Sequence, residues 1–291
     1  MLLAVTIVWG SSFVVVRRAL DTAPPLALLF WRFAVGTALV AAALALRRGP
    51  RPRGFGRDGL VLGLLLAAGM SLQVVGQAET TATKAAFLTG LAVVLTPFVA
   101  FVRTRRLPTI ENGAGIALAS VGFLLLTFPP KGEPFARGDV FVFGCGVLFA
   151  FYGVELAERA GAHDALWLTA VQLSLVLAAA GLLSLALRTS ALRGLHAAAL
   201  EARPIPWGGS FPASVGYLGS FCTVGAFLGW TWSQGRMTAV HGAIILALEP
   251  VVAALLAAWA LGERLPARGL FGAVLVIAGI VVSELRLRVR G

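Results

Sequence analysis

The sequence predicts an all-α polytopic membrane protein, with ten transmembrane helices in two inverted five-helix repeats around a central cavity. Three observations predict it. The composition is 58% hydrophobic and only 13% charged, with a mean hydropathy of +0.89, whereas soluble domains run at about half apolar and about a quarter charged. Apolar runs close to the roughly 20 residues that cross a bilayer fill nearly all of the 291 residues. One pattern of residues also occurs twice along the chain. The 34 glycines fit this class, because small residues let membrane helices pack closely.

Taken in order, the runs between charged or Pro/Gly-rich breaks predict helices at 2–19, 25–46, 59–78, 84–102, 111–128, 139–157, 165–187, 211–234, 238–260 and 268–284. Met1 leads straight into the first run with no basic stretch before it, so no cleavable signal peptide is read. The break after the second run, RRGPRPRGFGR, carries Arg47, Arg48, Arg51, Arg53 and Arg57, and the break after the fourth carries Arg103, Arg105 and Arg106. The C-terminal RLRVR adds three more arginines. Cytoplasmic loops carry the Lys/Arg excess, so both termini are expected in the cytoplasm, with Arg32 left inside a helix. Most connections are short; the stretch at 188–210 is longer and amphipathic enough to lie along an interface. The net charge of +11 comes from loop arginines that orient helices, and no nucleic-acid partner is expected. Cys145 and Cys222 both fall inside apolar runs and read as packing residues, with no disulfide, metal site or cofactor implied.

The repeat appears when AAFLTGLAVVLTPFVAF (85–101) is set against TAVHGAIILALEPVVAA (238–254), with Pro97 on Pro250. Ala86/Ala239, Leu95/Leu248, Val99/Val252 and Ala100/Ala253 also coincide. Each copy then reaches an RLP, at 106–108 and 264–266, and a helix with glycines seven apart, Gly115/Gly122 and Gly272/Gly279. The expected units are 1–130 and 131–291, each of five helices. Five is odd, so the second unit enters the membrane from the opposite side. The charges agree: RTRRLP is strongly basic, whereas its counterpart GERLPAR balances its arginines with Glu263. Inverted repeats with interrupted helices meeting near the midplane mark secondary transporters.

WGSSFVVVRRAL with Pro24, Pro25, Arg32 and Phe33 resembles the first two helices of the drug/metabolite transporter (DMT) superfamily. TTATKAAFLTGLAVVLTP and LALEPVVAALLAAWALGERL resemble the fourth and ninth helices of its EamA-type ten-helix members. The resemblance covers essentially the whole chain and is most specific at LEP…LGERL. It implies two inverted five-helix halves around a central cavity, and export of amino acids or other small metabolites. The bacterial YddG-type aromatic amino-acid exporters share the layout. One departure stands out: the first copy has Thr96 where the second has Glu249, so any role of Glu249 is not two-fold symmetric.

Glu249 is the leading functional candidate, because an ionisable group at bilayer depth costs on the order of 2.5–3.5 kcal/mol and usually faces a cavity or a partner. It reads either as a proton acceptor or substrate-ammonium contact, or as a brace that hydrogen-bonds backbone beside Pro250. Pro97 and Pro250 each remove a backbone donor, and read as cavity-shaping kinks or hinges, or as ordinary membrane-helix prolines. Lys84 attracts a substrate carboxylate at the mouth or snorkels to the interface. Glu155, with Glu158 and Arg159 one turn on, reads as an inner-end charge. The candidate cavity residues are Trp9, Ser11, Ser12, Gln73, Gln77, Tyr152, Trp230, Ser233 and His241, an aromatic and amide set of the kind that lines small-molecule pockets. Gln73 and Gln77 share one helical face. Trp167 and Trp207 read as interfacial belt residues.

The expected function is a secondary transporter exporting small metabolites from the cytoplasm by alternating access, with amino acids, aromatic or otherwise apolar, favoured. It is placed in the bacterial inner membrane, with a small-molecule substrate and the lipid bilayer as partners; a monomer is compatible with the layout. Proton coupling through Glu249 or His241 and facilitated diffusion fit equally well. The alternative of an intramembrane enzyme, using Ser11 or Ser12 with His241, lacks a G-x-S-x-G elbow, and HExxH and paired-aspartate motifs are missing too. A membrane scaffold or channel without active transport is the third reading.

Overall fold

A computed structural model describes residues 1–47, 54–105, 110–127, 136–192, 194–262 and 267–284. The middle of the basic 47–57 loop, both RLP segments, Glu263 and the C-terminal arginines lie outside the described residues. The described chain is helical and contains no strand. Its helices are α1 (Leu2–Leu20), α2 (Pro25–Leu46), α3 (Phe55–Gln77), α4 (Ala82–Thr104), α5 (Ile110–Thr127), α6 (Arg137–Arg159) and α7 (Ala165–Leu187). A short α8 (His196–Glu201) follows, then α9 (Phe211–Tyr217), α10 (Ala226–Gln234), α11 (Ala239–Leu246), α12 (Leu248–Leu261) and α13 (Ala267–Glu284). Eight spans are long and apolar enough to cross a membrane, and α5 and α13 hold shorter apolar stretches, Gly113–Leu125 and Ala267–Val282. All ten expected runs are therefore helical. The chain is an all-α, multi-pass membrane protein.

Two spans are irregular in ways that periodicity does not reveal. The eighth run, 211–234, is α9 and α10 joined by a π-helical stretch, Leu218–Gly225; such stretches widen a helix locally and free backbone carbonyls. The ninth is broken between α11 and α12 at Ala247, three residues before Pro250. Proline supplies no N–H and its ring crowds the carbonyl four residues earlier, here that of Leu246. Pro97 behaves differently, since α4 runs through it unbroken.

Helix starts are fixed by side chains that accept the otherwise unpaired first amides. Thr81 accepts from the amide of Lys84 at 3.1 Å, Thr238 from that of His241 at 3.2 Å, and Asp164 from those of Leu166 and Trp167. Helix α2, opening on Pro25, is served from a distance. The buried Glu201 carboxylate accepts from Leu26 N at 2.9 Å, Ala27 N at 3.0 Å and the Ser184 hydroxyl at 2.5 Å. The 188–210 stretch is thus docked on the bundle, with Trp207 edge-on to both Trp31 and Phe211.

Packing repeats under exchange of the first five spans for the last five. The α3–α6 contact is matched by α1 against α10 and the π-helical stretch, α4–α6 by α1–α12, and α3–α7 by α2 against that stretch. The pairs α2–α7 and α5–α13 are their own counterparts. Glycine is required where α5 crosses α13. A Cβ on Gly122 would lie 2.5 Å from the Gly272 carbonyl oxygen, and one on Gly279 would lie 2.7 Å from that of Gly115. Backbone cannot yield as a side-chain end can, so Gly122→Ala is expected to cost about 1–3 kcal/mol. A fall in the Tm of the purified protein in detergent checks this, and an unchanged Tm would show that the helices separate freely there.

The face on which α1 begins also carries Arg47, the 160–166 connection and the 235–236 turn. There the halves meet through charge: Arg47 donates to Asp164 at 2.8 Å, Arg103 to Glu155 at 3.0 Å, and Asp58 takes both Arg159 and His163. Glu155 therefore sits in an ion-pair group at that helix end. On the opposite face, Thr80 donates to Asp139 at 2.7 Å, and Glu79 meets His196 at 2.9 Å.

Candidate functional site

A cavity of about 750 Å³, counting the part open at its mouth, lies between the two halves. Helix α1 contributes Trp9, Ser12 and Phe13, α2 contributes Arg32, and α3 contributes Met70 and Gln73. Helix α4 lines it from Thr89 to Thr96, and α6 adds Phe149 and Gly153. The second half supplies Phe227, Trp230 and Gln234 from α10, with Ala239, Ala243, Leu246 and Glu249 from the broken span. The lining reaches Gln234 and Ala239, which flank the 235–238 turn, so the cavity extends toward the face on which α1 begins.

One wall is aromatic. Trp9 stands edge-on to Trp230 at 5.0 Å and to Phe227 at 5.1 Å between ring centroids. Each indole N–H is satisfied: Trp9 Nε1 donates to the Cys222 carbonyl at 2.9 Å, and Trp230 Nε1 to Gln234 Oε1 at 3.0 Å. The rings are thereby held at fixed tilt, as buried tryptophans generally are by such a bond. Helix α1 can lie close because Gly10 faces Val252 and the Glu249 carbonyl, where a Cβ would come within 2.6–2.9 Å.

Charge enters from two sides. Arg32 is 5% exposed; its Nε donates to Thr223 Oγ1 at 2.8 Å and one Nη to the Cys222 carbonyl at 3.2 Å. Both acceptors belong to the π-helical stretch, which explains the use of that irregularity here: it presents a carbonyl and a hydroxyl to a buried guanidinium. Glu249 lines the same cavity as Arg32. Among the described residues its carboxylate makes no hydrogen bond and no ion pair within 4.0 Å. Its repeat counterpart, Thr96, instead turns its hydroxyl back onto the Ala92 carbonyl at 2.7 Å.

The structure brings Trp9, Ser12, Gln73, Trp230 and Glu249 together on this cavity. Other sequence candidates lie off its wall. Ser11 bonds the Tyr217 hydroxyl at 2.6 Å. Gln77 donates to the Phe13 carbonyl at 3.2 Å, in a smaller neighbouring hollow shared with Arg32 and Gln73. Tyr152 is fully buried behind Trp230 and donates to Gln172. The Ser233 hydroxyl is buried without a bonded partner among the described residues. Lys84 and His241 sit in the first turns of α4 and α11, half-buried and off the lining. Pro250 adjoins Glu249 at the break, and Pro97 follows Thr96 on α4. Arg32, Gln234, Thr89 and the Phe149 and Phe227 rings are wall residues that sequence reasoning did not select. For Arg32 the signal was present, since a lone arginine inside an apolar run is as costly as the glutamate that was selected. Among the described residues no group of three or more His, Cys, Asp or Glu is placed to hold a metal, and both cysteines are free and buried.

Family comparison supplies the context for this geometry. The model of the EamA-like transporter family matches residues 1–128 and, a second time, 136–285. The chain belongs to the EamA-like transporter family. Proteins similar to it include an "Uncharacterized transporter" of Archaeoglobus fulgidus, 28% identical over 97% of this chain and 84% of its own. Another is a "Probable amino-acid metabolite efflux pump" of Salmonella typhimurium, 29% identical over 99% of this chain and 95% of its own. A "Probable terminal-alkyne amino-acid exporter" of Streptantibioticus cattleyicolor is 27% identical over 98% and 92%. One solved protein structure aligns with a TM-score of 0.71 over 97% of this chain and 95% of its own at 21% identity, which establishes the fold. As an EamA-like protein the chain is a small-molecule transporter in a lipid bilayer, not an enzyme.

Proposed function

We propose that this EamA-like protein exports amino acids with apolar or aromatic side chains, by alternating access about the central cavity. The observation that carries the reading is the wall itself: five aromatic side chains and a small polar set, with one buried cation and one carboxylate that has no bonded partner among the described residues. The names of the Salmonella and Streptantibioticus relatives support cargo of the amino-acid type.

In this reading residues 1–130 and 131–291 are the two inverted halves, and transport rocks one against the other. With both termini in the cytoplasm of a bacterial inner membrane, the cavity reaches toward the cytoplasmic face, the side from which an exporter loads. Ion pairs between α2 or α4 of the first half and α6 or α7 of the second then break and re-form with each cycle, while the break before Pro250 serves as the hinge. Trp9, Ser12, Gln73 and Trp230 contact cargo; Ser11, Gln77, Tyr152 and Ser233 hold the wall from behind; Lys84 and His241 lie nearer the two mouths. A single chain contains the whole pathway, so a monomer suffices.

Efflux from cells preloaded with labelled L-phenylalanine or L-leucine tests this. Faster, saturable efflux on expression of the chain is expected, and rates equal to those of empty cells would refute it. Repeating the flux in vesicles with and without an imposed pH gradient separates proton coupling from facilitated exchange.

A further inference from the structure

The cavity holds one positive and one negative side chain from opposite halves, yet no ion pair joins them. Arg32, on α2, has five N–H donors in a planar fork, and its two hydrogen bonds, to Thr223 and Cys222, both run to the π-helical stretch. Donors of that fork remain for the cavity it lines. Glu249, on α12, lines the same cavity with no bonded partner among the described residues. A carboxylate at bilayer depth normally finds a counter-charge or a hydrogen bond. Here the fixed counter-charge, Arg32, lines the same cavity without forming an ion pair within 4.0 Å, so the gap is open to a third group.

We propose, resting on the amino-acid reading above, that Arg32 and Glu249 form a two-ended selector for zwitterions. The Arg32 guanidinium takes the α-carboxylate, Glu249 takes the α-ammonium, and the Trp9–Phe227–Trp230 wall takes the side chain. A zwitterion between them leaves all four charges paired and adds no net charge to the low-dielectric site. A simple amine neutralises Glu249 but leaves Arg32 without its anion, and a simple acid does the reverse. Sites built around specific polar partners reject analogues lacking one of them strongly, because a buried group is then left unpaired. The arrangement also ties the two halves through the cargo, since its head group bridges α2 and α12. The wall is indifferent to the head group, so the charge pair and the aromatic wall read different parts of one molecule.

The test is thermal stabilisation of the purified full chain by ligand, which reports affinity without requiring transport. The probes are L-phenylalanine, phenethylamine and 3-phenylpropionate, with L-leucine, 3-methylbutylamine and 4-methylpentanoate as a second series. In the wild type each amino acid is expected to bind at least about tenfold more tightly than its amine or acid. In Glu249→Gln the advantage over the acid should disappear while that over the amine persists; in Arg32→Gln the pattern should reverse. The wild-type series and the Glu249 variant each decide the matter if the Arg32 variant fails to fold. Equal binding of amino acid, amine and acid by the wild type would overturn the selector and leave the exporter reading standing, as would variants that weaken amine and acid alike. No stabilisation by any of the six compounds would overturn both.

Discussion

Glu249→Gln is expected to cut transport about 10- to 100-fold while leaving the protein folded. The magnitude is that of losing one charge-assisted contact, worth about 1.5–3 kcal/mol. Retention of the fold follows from the geometry. Glutamine has nearly the same shape, and among the described residues the carboxylate makes no hydrogen bond that the substitution could break. Removing a charge from bilayer depth is itself favourable, so the Tm should stay level or rise. A brace between helices would behave oppositely, and a sharp fall in Tm would assign Glu249 to that role. Flux in vesicles and Tm in detergent, measured on one preparation, distinguish the two.

Trp230→Ala is expected to have the largest effect on stability, about 3–5 kcal/mol by analogy with other buried aromatic truncations. Trp230 is 4% exposed, touches Trp9 at 5.0 Å and Tyr152 at 4.8 Å, and orients Gln234 through its indole N–H. Truncation would merge the space it fills with the cavity and free both neighbouring rings. Trp230→Phe keeps much of the volume and loses the N–H, so it should recover most of the stability while cargo affinity stays reduced. Denaturant or thermal unfolding of the two variants beside the wild type checks this. Equal stability of Trp230→Ala and the wild type would mean that the aromatic wall is not a packed unit.

The contrast between Pro97 and Pro250 shows what the sequence could and could not reveal. Hydropathy alone places the ten runs, because a bilayer tolerates backbone only when its hydrogen bonds are closed within helices. The paired prolines are what the repeat is read from. They did not reveal that one helix runs straight through its proline while the other breaks, since that depends on which neighbours pack against each turn. The π-helical stretch was hidden for a similar reason: LGSFCTVG mixes apolar residues with Ser220 and Thr223 and carries no mark of the wider turn. Side-chain direction was harder still. Gln73 and Gln77 do share a helix, yet one reaches the main cavity and the other an adjoining hollow against α1. Tyr152 looked like a pocket residue and stands one layer behind it. Arg32 was visible throughout as a charge in an apolar run, and only its Thr223 and Cys222 partners show why it is tolerated there.

In the proposed mechanism cargo crosses by occupying this cavity between two halves that open in turn. Counterflow in proteoliposomes tests it most directly: vesicles are loaded with unlabelled L-phenylalanine or L-leucine and diluted into a trace of the labelled form. Alternating access predicts a transient accumulation of label above equilibrium, saturable by outside substrate and lost in Glu249→Gln. Simple, non-saturating equilibration of label, unchanged by Glu249→Gln, would contradict the claim.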